Sequence, residues 1–244
     1  MFEAESLALD QLYEIHRSSG SLRVPKPHFP GATESASYIV MEYLDIGKLS
    51  AGDNLAWTEA GRQLARVHKY KPRTPHFGWH CENTIGSTPQ INTHTQNWIE
   101  FYKSHRLAYQ FHLASQKGFL FPQSEILLDS IDSLFDDYDP MPSFLHGDLW
   151  YGNIGFTPDS QPCIFDPASY YGDREAEFGI IDMFGGFPES FFEAYNEVWP
   201  LSPSFHIRLP IYRLYHELNH LNLFGSGYLS SVESTISQIL GRRR

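Results

Sequence analysis

The stretch that most restricts what this chain can fold into is Phe144-Leu145-His146-Gly147-Asp148-Leu149-Trp150-Tyr151-Gly152-Asn153. Apolar residues lead into a polar turn, and the chain runs on through Ile154-Gly155-Phe156. A second apolar run, Cys163-Ile164-Phe165, ends at Asp166-Pro167. Between the runs, Pro158-Asp159-Ser160-Gln161-Pro162 has the composition of a turn. The pattern is an aspartate, an asparagine five residues on, and a second aspartate after a short hairpin. Singly, each is an ordinary turn or cap former. Together, in this order between short strands, they point to one chemistry.

That chemistry is phosphoryl transfer from ATP. One carboxylate orients the acceptor hydroxyl and takes its proton, while an amide oxygen and a second carboxylate hold magnesium on the phosphates. The Asp-x-x-x-x-Asn spacing is that of a kinase catalytic loop. His146 either orients this loop by hydrogen bonding or packs as a structural histidine.

Composition narrows the setting. A chain of 244 residues can bury a sizeable core, as one large domain or two lobes. With 41% hydrophobic and 19% charged residues it reads as globular, not disordered. A net charge of -11 argues against a nucleic-acid or anionic-membrane partner. Two cysteines, Cys81 and Cys163, make no disulfide framework and favour a reducing compartment. No apolar run reaches the roughly 18 residues of a membrane helix. The acidic start, Met1-Phe2-Glu3-Ala4-Glu5, lacks a signal-peptide pattern. A soluble, cytoplasmic protein is expected, or one in an organelle stroma if a leader is missing.

Periodicity places the elements. Leu9, Leu12, Tyr13 and His16 mark a helix over 2–17, stopped by Ser18-Ser19-Gly20. Three prolines make 24–31 loop-like, and Ser37 to Tyr43 reads as a buried strand. Trp57, Ala60, Leu64, Val67 and His68 mark a second helix, and Lys71 to Gln90 reads as an irregular excursion. Further helices are expected over 94–115, 124–135, 173–184, 188–198, 204–224 and 229–240. The aromatic face from Trp98 to Tyr109 reads as core, and Arg242-Arg243-Arg244 as a solvated tail. Asp173, Glu175 and Glu177 either start a helix or face a substrate amine. Trp150 either stacks on a sugar or packs.

The motif His146-Gly147-Asp148-Leu149-Trp150-x-Gly152-Asn153, followed by Phe165-Asp166-Pro167-Ala168 and Met183-Phe184-Gly185-Gly186-Phe187, resembles the fructosamine (ketosamine) kinase family. The family is related to aminoglycoside phosphotransferases and shares the protein-kinase-like fold. Phe77-Gly78-Trp79, Asn83-Thr84-Ile85-Gly86 and the helix from Tyr212 to Phe224 are similar to it as well. The resemblance spans the chain and implies an α+β, two-lobed fold. Residues 1–46 would be a partial N-lobe with helix, strand and hinge, and 47–244 a mainly helical C-lobe. The implied activity is ATP- and magnesium-dependent phosphorylation of a sugar hydroxyl on a ketoamine, free or protein-bound, at the third carbon. The implied roles are Asp148 as base, Asn153 and Asp166 as metal ligands, and Glu42-Tyr43-Leu44 as the adenine hinge. Glu5 matches the glutamate that pairs with a phosphate-binding lysine.

The glycine-rich loop and that lysine belong before the Glu5 helix, and Lys26, Lys48, Lys69, Lys71, Lys103 and Lys117 all come after it. A truncated N-lobe is therefore expected. Such a chain would be weak or inactive, short of transition-state stabilisation on the order of several kcal/mol. An uncovered sheet edge and apolar surface near 1–43 would favour self-association. Two other function classes are carried. One is a non-catalytic pseudokinase or nucleotide-binding relic. The other is a zinc peptidase built on His216-Glu217-Leu218-Asn219-His220, a literal H-E-x-x-H.

Overall fold

The computed structural model describes residues 1–48, 53–71 and 75–241, so the arginine tail lies outside the described residues. Helix α1 (Phe2–Ser19) buries Ala8, Leu9, Leu12 and Ile15 on one face. Gly20 ends it in the left-handed conformation, with its N–H on the His16 carbonyl. Strand β1 (Pro27–Ala32) pairs antiparallel with β2 (Ser37–Met41), Pro27 opposite Met41 and Ala32 opposite Ser37. This corrects the expected loop over 24–31. A two-stranded pair has two outer edges, and a proline facing an outer edge removes no ladder bond. The buried strand expected over 37–43 ends at Met41 and is largely exposed, because β2 belongs to a two-stranded pair with one face open to solvent. Beyond it the Glu42 N–H bonds the Lys26 carbonyl at 2.8 Å, and Tyr43 is exposed.

Helix α2 (Asn54–Lys69) buries Trp57, Ala60, Leu64, Val67 and His68, the face marked by the sequence. Within the excursion expected over 71–90, β3 (Asn83–Ile85) and β4 (Thr88–Gln90) form an antiparallel hairpin, and residues 72–74 lie outside the described residues. Three-residue polar strands carry no periodic signal. Their polarity is used in docking: Asn83 Nδ2 donates to the Ser169 carbonyl at 2.8 Å, and Gln90 Nε2 to that of Ala168 at 3.1 Å. The helix expected from residue 94 starts later. Helix α3 (Trp98–Tyr102) runs through a π-helical stretch, Lys103–Ala108, into α4 (Tyr109–Gln116). The Asn97 side chain caps it on the Glu100 N–H. Trp98, Phe101 and Tyr102 are buried, as a core face should be. Helix α5 (Ser124–Ser130) gives way to a 3₁₀ turn, Asp132–Phe135.

Strands β5 (Pro142–Leu145), β6 (Ile154–Phe156), β7 (Pro162–Ile164) and β8 (Tyr170–Asp173) follow. Strand β5 pairs antiparallel with β8, and β6 with β7. The helix expected over 173–184 is a 3₁₀ turn, Arg174–Glu177, leading into α6 (Phe178–Phe184). Helices α7 (Glu189–Val198), α8 (Phe205–Phe224) and α9 (Leu229–Gly241) lie where periodicity puts them. One core runs from Leu9 of α1 through Trp57, Trp98 and Phe144 to Tyr212 and Leu218 of α8.

The contact of α2 with α7 is close because of Gly61. A Cβ there would lie 2.1 Å from the Phe191 carbonyl oxygen, a backbone atom. Alanine would gain about 1 kcal/mol of helix propensity, but overpacking against backbone costs about 1–3 kcal/mol. G61A should therefore lower the urea midpoint, and an unchanged or raised midpoint would contradict the packing described.

Candidate active site

Strand β5 ends at Leu145 and the chain turns through His146-Gly147-Asp148. Position 147 requires glycine twice over. Its φ is 82°, and a Cβ would lie 2.2 Å from the Ala168 carbonyl oxygen. Beneath the turn lies Glu177, buried, accepting the backbone N–H of His146 at 2.6 Å and of Gly147 at 2.9 Å. His68 of α2 approaches the same carboxylate at 3.4 Å. The imidazole of His146 bonds the Phe165 carbonyl through Nε2 at 3.0 Å and accepts the Asp148 N–H on Nδ1 at 3.3 Å. Accepting on Nδ1 requires the neutral ring, and burial pulls its pKa below the ordinary 6.5. His146 thus orients the loop.

Asp173, Glu175 and Glu177 do not face a substrate amine. All three are buried. Asp173 accepts the hydroxyls of Tyr138 at 2.8 Å and Tyr212 at 2.5 Å, and Glu175 pairs with Arg208 at 2.7 Å. Periodicity could not separate an exposed acidic helix start from carboxylates turned inward to hold other elements.

Asp148 opens on a cavity of about 670 Å³, lined also by Glu5, Glu42, Tyr43, Leu44 and Asp166. Asn153 joins them through hydrogen bonds. Its Nδ2 donates to Asp148 Oδ2 at 3.3 Å and to the Asp148 carbonyl at 2.9 Å, and lies 3.5 Å from the Asp166 carbonyl. Of the residues nominated from the sequence, Glu5, Glu42, Tyr43, Leu44, Asp148 and Asp166 line one cavity and Asn153 bonds to its wall. Asp166 has φ 59°, a left-handed backbone that aspartate tolerates better than most residues and that concentrates at functional positions. Glu42 is held by Arg23 at 2.8 Å.

The cavity is electrostatically unbalanced. Burial, with Asp166 and Glu177 nearby, pushes the Asp148 carboxyl up to about 8. Burial, then Asp166, raises Glu5 to about 6. Among the described residues, Glu5, Asp148 and Asp166 form no ion pair. Like-charged carboxylates sharing a site favour an incoming cation. The donor set suits magnesium: an amide oxygen and carboxylates, with the Asn153 nitrogen already committed to protein acceptors. Among the described residues no group of three or more His, Cys, Asp or Glu could hold a metal. Magnesium needs only one or two such ligands, because phosphates and water supply the rest.

The zinc reading does not hold. His216, Glu217 and His220 belong to no metal-holding group among the described residues. His216 is buried, which drives its pKa down to about 3. Glu217 accepts the Ser231 hydroxyl at 2.6 Å, and His220 Nδ1 bonds the His216 carbonyl at 2.8 Å. Glu217 thus ties α8 to α9, and His220 bonds the backbone of its own helix.

Solved structures share this architecture. An aminoglycoside phosphotransferase, APH(4)-Ia, superposes with a TM-score of 0.61 at 16% identity, covering 96% of this chain and 84% of that one. The fold is thus α+β, two-lobed and protein-kinase-like. A candidate fructosamine-3-kinase from Haemophilus somnus reaches a TM-score of 0.88 at 28% identity, covering 98% of this chain and 79% of that one. Among curated relatives, a chloroplastic protein-ribulosamine 3-kinase of Arabidopsis thaliana is 44% identical over 98% of this chain and 72% of its own. A probable ketoamine kinase of Synechocystis is 38% identical over 98% of this chain and 79% of its own. Residues 1–242 match the family described as fructosamine kinase. The chain belongs to the fructosamine kinase family. Membership in a kinase family implies the use of ATP. Among the described residues no helix is long and apolar enough to cross a membrane.

The raised Asp148 pKa makes a stability prediction. Its folded value, about 8, lies above the ordinary 3.8. The protonated form is therefore the one the fold accommodates, and the folded state loses ground as pH rises from about 4 to about 8. Asparagine removes that penalty. Without metal, the stability gain of D148N over the parent should exceed its pH 5 value by about 1–3 kcal/mol at pH 8. Denaturant melts at the two pH values read it, and an equal gain at both contradicts it.

Proposed function

We propose that the chain transfers the γ-phosphoryl group of ATP to the third-carbon hydroxyl of a ketoamine, a sugar adduct of the fructosamine or ribulosamine kind. The observation that carries this reading is Asp148 at the wall of one cavity, bonded to Asn153 and facing the field of Asp166. Asp148 takes the hydroxyl proton, the hydroxyl oxygen forms a bond to the γ-phosphorus, and the bond from that phosphorus to the bridging oxygen breaks to release ADP. Asn153 Oδ1 and the Asp166 carboxylate would hold magnesium, which would supply neutralisation of the phosphate charge. Positive charge there also lowers the Asp148 pKa, so the base is ionised when nucleotide is in place. Glu42-Tyr43-Leu44 offer backbone groups to adenine, and Glu5 stands in the place of the glutamate that pairs with a phosphate-binding lysine. Trp150 is 37% exposed beside Asp148 and lies over Gly152, a surface on which a sugar ring can stack.

ADP release by the purified chain with magnesium ATP and a ribulosamine or fructosamine of lysine tests this, with phosphorus NMR of the product. Turnover is expected, and D148N should slow it about 10²–10⁴-fold. Nucleotide binding without turnover would favour the non-catalytic class instead.

Residues 1–46 act in this reading as the segment of helix, strand and hinge on the N-terminal side of the cavity, and the setting is a reducing compartment, cytoplasm or plastid stroma. Phe29, Tyr38 and Val40 expose apolar surface on the β1–β2 pair, which supports self-association. Sedimentation should show mass rising with concentration; a constant monomer contradicts it.

A further inference from the structure

Lys48 follows the hinge segment and has no part in the phosphotransfer steps themselves. Its ammonium donates to three backbone carbonyls: Tyr151 at 2.7 Å, Gly152 at 3.0 Å and Ile154 at 2.5 Å. It stands 5.2 Å from the ring centre of Tyr151 and 5.7 Å from that of Phe165. Among the described residues it forms no ion pair with a carboxylate.

An ammonium has three donors, and three carbonyls take them all. A surface lysine paired with a carboxylate would contribute little. This one closes the 3₁₀ turn Tyr151–Asn153, whose terminal carbonyls lack intrahelical partners and form the negative end of its dipole. The position along the chain is the informative part. Tyr151, Gly152 and Ile154 flank Asn153 on both sides, and Phe165 immediately precedes Asp166. One cation therefore touches both segments nominated to hold the metal. The backbone fixes where it starts: Gly47 and Phe156 exchange hydrogen bonds in both directions at 2.9 Å, laying the segment along β6.

We propose that Lys48 is a positioning residue for magnesium–nucleotide binding. Its ammonium clamps the turn 151–154 and so sets the direction in which Asn153 presents its amide oxygen beside Asp166. This rests on the phosphotransfer reading. Arginine cannot replace it, because a planar fork does not converge three donors on three carbonyls.

The test uses the full chain with K48M, K48R and K48A. In metal-free protein, amide exchange at Asn153 should quicken in K48M. In the magnesium titration of ATP-dependent turnover, the half-saturating concentration should rise about tenfold, as for other groups that orient metal ligands. The ketoamine KM should stay unchanged. K48R should resemble K48M despite its charge. Ethylammonium should restore K48A, whereas tetramethylammonium, which has no N–H, should not. Unchanged exchange and magnesium dependence in K48M, or full function in K48R, overturns the proposal and leaves the phosphotransfer reading intact. Should K48M fail to fold, K48A decides instead: rescue by ethylammonium supports the clamp, and activity equal with and without it overturns the clamp. Failure of the unaltered chain to bind nucleotide sinks the phosphotransfer reading, and this inference with it.

Discussion

The site depends on one buried carboxylate that touches no substrate. Glu177 receives the backbone N–H groups of His146 and Gly147 from below, and burial leaves it no water to turn to. Hydrogen bonds to a charged acceptor are among the stronger ones available to a protein, roughly 1.5–3 kcal/mol each. Its own ionisation is secured by the bonds it accepts, which outweigh the cost of burial and hold its pKa below the ordinary value. The turn that carries Asp148 is thus pinned to the start of α6 and, through His68, to α2.

From that anchor the order propagates outward. His146 ties the turn to Phe165, next to Asp166, and Asn153 ties the hairpin back to Asp148. Lys48 and Arg23 bind the segments around Glu42-Tyr43-Leu44 to the same region. This framework supports a cavity wall that is left electrostatically unsatisfied. Asp148 and Glu5 sit above their ordinary pKa values because burial and the neighbouring Asp166 disfavour their charge. This arrangement costs stability in the empty protein and is relieved by a cation.

Much of this was legible in the sequence, for reasons that differ by element. Asp148, Asn153 and Asp166 could be nominated together because phosphoryl transfer asks for such a set at such a spacing, and the fold brings them to one cavity wall. The long helices α2 and α8 were readable because their buried faces repeat at helical spacing. The β3–β4 hairpin was not, because Asn83 and Gln90 look like loop residues until the carbonyls of Ala168 and Ser169 are in place. Strand β1 was hidden by Pro27 and Pro30, whose meaning depends on which edge they face. The anchoring roles of Glu177 and Lys48 were not legible, because the groups they anchor here are backbone N–H and C=O groups, which leave no trace in residue identity.

The most direct test of the central claim is the titration of the Asp148 carboxyl by carbon-13 NMR, with and without magnesium ADP. An acidic cavity built to receive a metal nucleotide predicts a pKa of about 8 in the free protein, falling into the ordinary carboxylate range when magnesium ADP binds. A value near the ordinary 3.8 in both states would contradict it.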